Sequence, residues 1–249
     1  MRSHWISPAA ALALILAVVI ALTPTVAATD ILYQTGLEPP TFETGTFAGQ
    51  DSWDAYLGAP SATVATELPL TSTGLPLSGA HSLRVDGSQL EEFFGFHFAS
   101  YARPLLYDPI GSATRVVTLS ADINLAGDVP EGCGFGIGLS GILNGEFMTN
   151  VQIGVRSEDG KVVPFIANYD GVVATRSRYK VGKWATLRAV YDFERRTVRG
   201  FYNNVPIGEI PFTAGISNDI HFIVVFMGSH TPVPTADGHL DNLEVSAAP

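Results

Sequence analysis

The stretch RVVTLSADINL, residues 115–125, decides how this chain folds. Val117, Leu119, Ala121, Ile123 and Leu125 occupy every second position, with Thr118, Ser120, Asp122 and Asn124 between them. Successive side chains of a strand point to opposite faces, so this alternation predicts a β-strand with one buried and one polar face. Short segments of the same kind recur on both sides. HSLRVDGS (81–88) and FFGFHFASY (93–101) precede it. FGIGLSGIL (135–143), TNVQIGVRS (149–157), KVVPFIANY (161–169), WATLRAVYDF (184–193), TVRGFYNN (197–204), DIHFIVVFMG (219–228) and HLDNLEVSA (239–247) follow it. Turns such as NGE and EDG separate them, and no stretch beyond the N-terminal leader sustains a helical period. Roughly ten to thirteen strands are expected in one uninterrupted run, which suits a single antiparallel β-sandwich. IHFIVVFM is apolar on both faces and is expected at the centre of a sheet. LPLTSTGLPLSG (68–79) and GSHTPVPTADG (228–238) read as surface loops on their Pro, Gly, Ser and Thr content.

The first residues follow a different rule. Arg2 and His4 precede an apolar run from Ala9 to Leu22, and Val26-Ala27-Ala28 supplies small residues after it. That order is the signature of a secretory signal peptide cleaved near Ala28, leaving residues 29–249 as the folded body in a secreted, periplasmic or cell-surface setting. The run is short for a membrane span, so no membrane partner is expected after cleavage. Charged residues are 15% of the chain and apolar residues 46%, enough to form a sizeable core. The net charge of −10 argues against nucleic acid as a partner, because such binding needs a basic face. Cys133 is the sole cysteine, so no internal disulfide forms, and within EGCGFG it reads as a small buried apolar residue.

KWATLRAVYDFERRTVRGFYNNVPIGEIPF (183–212) resembles the hairpin of laminin-G-like and concanavalin A-like jelly-roll domains. Trp184 opens a strand, Glu194-Arg195-Arg196 turns it, and Tyr202-Asn203-Asn204 closes the second strand, with Val205 where those domains usually carry Gly. A second similarity joins the ends of the chain. Leu37-Glu38, Ser78-Gly79-Ala80-His81-Ser82-Leu83-Arg84-Val85 and Asp241-Asn242-Leu243-Glu244-Val245 resemble the pattern of carbohydrate-binding jelly-roll modules. The resemblance implies that the first and last strands are neighbours, and that Glu38 and Asp241 bind a structural calcium with help from backbone carbonyls. It would also explain why Asp241 and Asn242 interrupt the apolar set Leu240, Leu243 and Val245. Two carboxylates brought together repel unless a hard cation takes oxygens from both.

Signs of catalysis are sparse. Glycoside hydrolases of this fold carry an E-x-D-x-E strand, which places two carboxylates on one face, and nothing here spells it. Alginate lyases of similar fold carry Gln-x-His, and at 152–154 this chain has Gln-Ile-Gly. Ser-His-Asp, H-E-x-x-H and phosphate-loop patterns are missing as well. The reading favoured is a non-catalytic domain recognising a polysaccharide or cell-surface glycan. A polysaccharide-degrading hydrolase or lyase, and an extracellular structural or adhesion domain, stand as alternatives. Sugars present apolar faces ringed by hydroxyls, so a glycan site needs aromatic and planar polar groups. Period-two counting puts Gln152 and Arg156 opposite Val151, Ile153 and Val155, and Arg188 opposite Leu187, Ala189 and Tyr191. His97 and His221 are polar interruptions of apolar strands. These five are the ligand-binding candidates, while Trp53 and Trp184 are expected to pack inside.

Overall fold

The structure, a computed structural model, describes residues 29–57, 62–65, 81–93, 95–175, 177–233 and 235–249. The leader and the loop read at 68–79 lie outside these residues. Among them there is no α-helix, one 3-10 turn at Gly87–Gln89, and seventeen strands. The N-terminal strands are β1 (Asp30–Thr35), β2 (Gly45–Thr46), β3 (Asp54–Leu57), β4 (Ala62–Ala65), β5 (Ser82–Asp86) and β6 (Glu91–Phe93). Longer ones follow: β7 (Phe96–Tyr107), β8 (Val116–Ala126), β9 (Gly134–Leu143), β10 (Glu146–Glu158) and β11 (Lys161–Asn168). The remainder are β12 (Gly171–Ala174), β13 (Ala185–Asp192), β14 (Thr197–Tyr202), β15 (Val205–Pro211), β16 (Ile220–Ser229) and β17 (Asp237–Ala248). The expected ten to thirteen was too few because β2, β3, β4, β6 and β12 have four residues or fewer, too short to display a period.

Two antiparallel sheets form a sandwich. The first runs β15-β14-β13-β8-β17-β5-β4-β2, with β1 also paired to β17; the second runs β12-β11-β10-β9-β16-β7-β3, with β6 paired to β7. The alternation read in residues 115–125 holds at every position: the five apolar side chains of β8 are at most 1% exposed and the residues between them are half-buried. Leu187, Ala189 and Tyr191 of β13 meet Val151, Ile153 and Val155 of β10 in the same core. β16 sits between β9 and β7, the central place expected for IHFIVVFM. The β13–β14–β15 meander matches the hairpin read in the sequence, and Asn203 and Asn204 adopt φ of 47° and 64°. Two consecutive positive φ angles make the type I′ turn favoured between strands, so the turn forms with Val205 following it.

Buried tyrosines tie the layers together. Tyr191, from the first sheet, donates its hydroxyl to Val151 O at 2.6 Å and accepts from Leu139 N at 3.2 Å, both on the second sheet. Tyr101, from the second sheet, accepts from Ala62 N of the first at 2.7 Å. Trp53 is buried as expected, donating to the Tyr33 hydroxyl at 3.1 Å. Trp184 is also buried, but its ring lies beside His239 rather than in the inter-sheet cluster. Cys133 is fully buried, and burial pushes its thiol up to about 12, in keeping with an inert apolar role. Replacing Tyr191 with Phe keeps the ring and strands two buried backbone partners. Urea unfolding should report a loss of about 1–3 kcal/mol, and an unchanged midpoint would show that the hydroxyl does not join the sheets.

Candidate functional site

Two places concentrate chemistry. The first lies along one edge of β17. Residues Asp237–Leu240 of that strand pair with β5, whereas Leu243–Ala247 pair with β1, so two strands lie end to end against the same edge. Asp241 and Asn242 occupy the join. The register of β17 against β8 slips between Asp241 and Glu244, and Asn242 takes φ of 50°, which makes the join a β-bulge. Glu38 follows the end of β1 and His81 immediately precedes β5, so the same join collects both. Glu38 Oε1 accepts from His81 N at 2.9 Å, and its Oε2 lies 3.0 Å from His81 Nδ1.

Asp241 is 0% exposed. Its Oδ1 accepts from Asn242 N at 2.7 Å, while its Oδ2 is buried with no hydrogen-bond partner. Directly across on β8 stands Asp122, which accepts from Asn242 Nδ2 at 2.9 Å and from Thr186 Oγ1 at 2.5 Å. Burial raises the Asp241 carboxyl from 3.8 to about 7; the Asn242 amide opposes the rise, and the charges of Asp122 and Glu38 add to it. The early and late carboxylates implied by the resemblance are thus brought into electrostatic contact. Among the described residues no three His, Cys, Asp or Glu side chains converge as a metal site. A cation here would need main-chain carbonyls besides Asp241 and Glu38. The orphaned Oδ2 fits such a role, since a buried oxygen without a partner is rare in a folded protein.

The second place is the outer face of the second sheet. Outward positions of β9 are Gly134, Gly136 and Gly138, and β10 and β16 add Gly154 and Gly228. A Cβ at Gly136 would lie 2.9 Å from the Phe226 ring, one at Gly154 2.9 Å from Phe165, and one at Gly228 2.8 Å from Phe98. Rings therefore lie in the hollows left by absent side chains, forming a small apolar cluster outside the main core. Above it runs a groove of about 790 Å³, lined by His97, Gln152, Arg156, Tyr169, Phe96 and His230 among others. Two smaller hollows of about 230 and 220 Å³ adjoin it, sharing Phe98 on one side and Gln152 and Tyr169 on the other. Among the described residues no Asp or Glu lines any of the three. Tyr169 is 73% exposed and Phe96 48%, with the His230 ring 4.5 Å from Phe96.

Three of the five ligand candidates, Gln152, Arg156 and His97, meet in this groove. Arg188 does not: it lies on the first sheet, over Phe201 at 4.4 Å. His221 stands at the start of β16, 5.5 Å from Phe147, and lines none of the three hollows. Phe96, Tyr169, His230 and the glycine stripe were not anticipated. The signal for the stripe is legible in GFGIGLSG (134–141), where Gly alternates with large apolar residues.

This architecture is a concanavalin A-like jelly roll. No family model and no curated protein matches the sequence, but solved structures resemble the fold. A sialidase aligns at TM-score 0.50 and 15% identity over 78% of this chain, which spans only 17% of that protein's chain. A family 16 glycosyl hydrolase protein from Mycobacterium smegmatis aligns at TM-score 0.51 and 11% identity, covering 87% of this chain and 100% of its own. The carbohydrate recognition domain of Emp47p aligns at TM-score 0.50 and 10% identity, covering 89% and 97%. At such identities the likeness is one of fold, and a shared jelly roll hosts both catalysis and recognition. Among the described residues no helix is long and apolar enough to cross a membrane.

The elevated carboxyl has a signed consequence. The folded chain holds the Asp241 proton more tightly than the unfolded one, so no penalty exists below about pH 4 and the full one is felt above about pH 7. For a shift from 3.8 to about 7 the total is on the order of 4 kcal/mol. In metal-free buffer the protein should therefore lose stability as the pH rises from about 4 to about 7, and Asp241→Asn should flatten that slope in urea unfolding. An identical slope in the variant would acquit the carboxyl.

Proposed function

We propose that this protein is a secreted, non-catalytic carbohydrate-recognition domain that takes a polysaccharide or cell-surface glycan in the groove across its second sheet. The observation that carries this reading is the groove itself: exposed aromatic rings and planar polar side chains meet there, and among the described residues no carboxylate lines it. Sugar rings stack their CH faces on aromatic groups and give hydroxyls to groups such as Gln152 and Arg156. Glycoside hydrolysis ordinarily needs two carboxyls flanking the bond, and their absence from the lining weighs against a hydrolase. The enzymatic alternative draws on His97 and His230, which supply proton-transfer groups in the same groove. It predicts product release from polysaccharide, where a recognition domain releases none. Export rests on the leader sequence, with a mature N-terminus near Thr29.

Calcium belongs to the β17 join rather than the groove in this reading. Asp241 and Glu38 would hold the ion together with backbone carbonyls, and the ion would neutralise two carboxylates that the topology forces together.

Glycan-array screening of the mature chain should find at least one retained polysaccharide, and Tyr169→Ala should weaken that binding by about tenfold. Retention of nothing, or binding indifferent to Tyr169→Ala, would remove the groove from the account. For the metal, calcium at a hundred times its dissociation constant should raise Tm by about 5–10 °C over chelated protein. Asp241→Asn should abolish the difference; a Tm blind to chelation in the parent chain ends the calcium proposal.

A further inference from the structure

Resting on the reading of the groove as a glycan site, we infer that its ligand is an acidic glycan whose carboxylates, spaced one per sugar, are met by Arg156. The chain carries 24 Asp and Glu against 14 Lys and Arg. A surface drawn evenly from that composition would line a trench of this size with acids. Instead, among the described residues, the lining of the groove and both adjoining hollows holds none, while Arg156, His97, His230 and Gln152 converge in it. Glu158 bonds to Arg156 and Glu92 pairs with His97 at the margins of this lining, so Arg156 is the charge the lining itself offers, the complement of an anionic ligand.

Arg156 is held ready for such a ligand. Its Nη2 donates to Glu158 at 2.9 Å and its guanidinium carbon lies 5.6 Å from the centre of the Phe165 ring, so the long side chain is fixed before anything arrives. Nε is buried and without a partner. With Nη2 engaged by Glu158 and Nε buried, the guanidinium keeps the N–H groups of Nη1 for an arriving carboxylate. Two rims favour a sugar chain over a small anion: Tyr169 and Phe96 both line the groove and both stand out from the surface.

The test compares polygalacturonate, polymannuronate and polyguluronate oligomers with their fully methyl-esterified forms and with neutral glucan, mannan and xylan oligomers, by calorimetry at low and raised NaCl. Expected is at least tenfold tighter binding of one acidic oligomer than of its ester. The gap should narrow as salt rises, fall below threefold in Arg156→Gln, and persist in part in Arg156→Lys. Equal affinity for acid and ester, or retention of neutral oligomers alone, overturns the acidic-ligand inference and leaves the glycan groove standing. Binding of none of these oligomers overturns both. Should Arg156→Gln fail to fold, the salt dependence of the parent chain and the Lys variant still decide.

Discussion

The structure depends on how one edge of β17 is divided. A strand has two edges, and β17 gives one of them wholly to β8 while splitting the other between β5 and β1. Two strands meeting end to end cannot cover the junction, because each must leave the sheet there. The chain resolves the gap with a bulge at Asp241-Asn242, with Asn242 in the left-handed region that Asn tolerates better than most residues. Everything nearby follows from that join. The segment after β1 and the segment before β5 are forced to it, and Glu38 and His81 arrive together. Asp241 is then trapped opposite Asp122 with one oxygen unsatisfied, where burial and like charges favour its neutral form.

The two faces of the second sheet solve different problems with the same strands. On the inner face, Phe135, Ile137 and Leu139 of β9 interdigitate with the first sheet and are at most 1% exposed. On the outer face, Gly136 of β9, Gly154 of β10 and Gly228 of β16 leave hollows, and Phe226, Phe165 and Phe98 settle into these. Glycine in a strand ordinarily weakens it. Here the neighbouring rings restore the lost contacts and keep the floor low, so the rims of Tyr169 and Phe96 rise above it.

Much of the sandwich was legible because it rests on period two. The strand at 115–125 and the meander from 185 to 211 display their face in the order of their residues, and the strand at 220–229 announced its central place by being apolar on both faces. Short strands such as β2 and β12 carry too few residues to show a period, and pairing supplied by neighbours defines them. The candidate site was only partly legible for a related reason. Alternation separates inward from outward, but it does not say which sheet a strand joins. Arg188 and Arg156 therefore looked equivalent, and the topology placed them on opposite sides of the molecule. His221 lies beside Phe147 at the start of β16, whereas the groove takes Phe226, Gly228 and Ser229 from the far end of that strand, a placement that no local pattern announces. Glu38 and Asp241 were paired through a resemblance, and the β17 join gives that pairing its physical cause.

The borders of the sheets have a bearing on colloidal behaviour. An open strand edge offers unpaired amides to any other chain, and long flat edges recruit copies of themselves. Among the described residues the two strand orders end at β15 and β2 in one layer and at β12 and β3 in the other. Three of these have four residues or fewer, and β15 carries Pro206 and Pro211, which have no amide hydrogen to offer. At these four margins edge-to-edge stacking into fibrils finds little ladder to extend, because brevity and proline keep them unreactive.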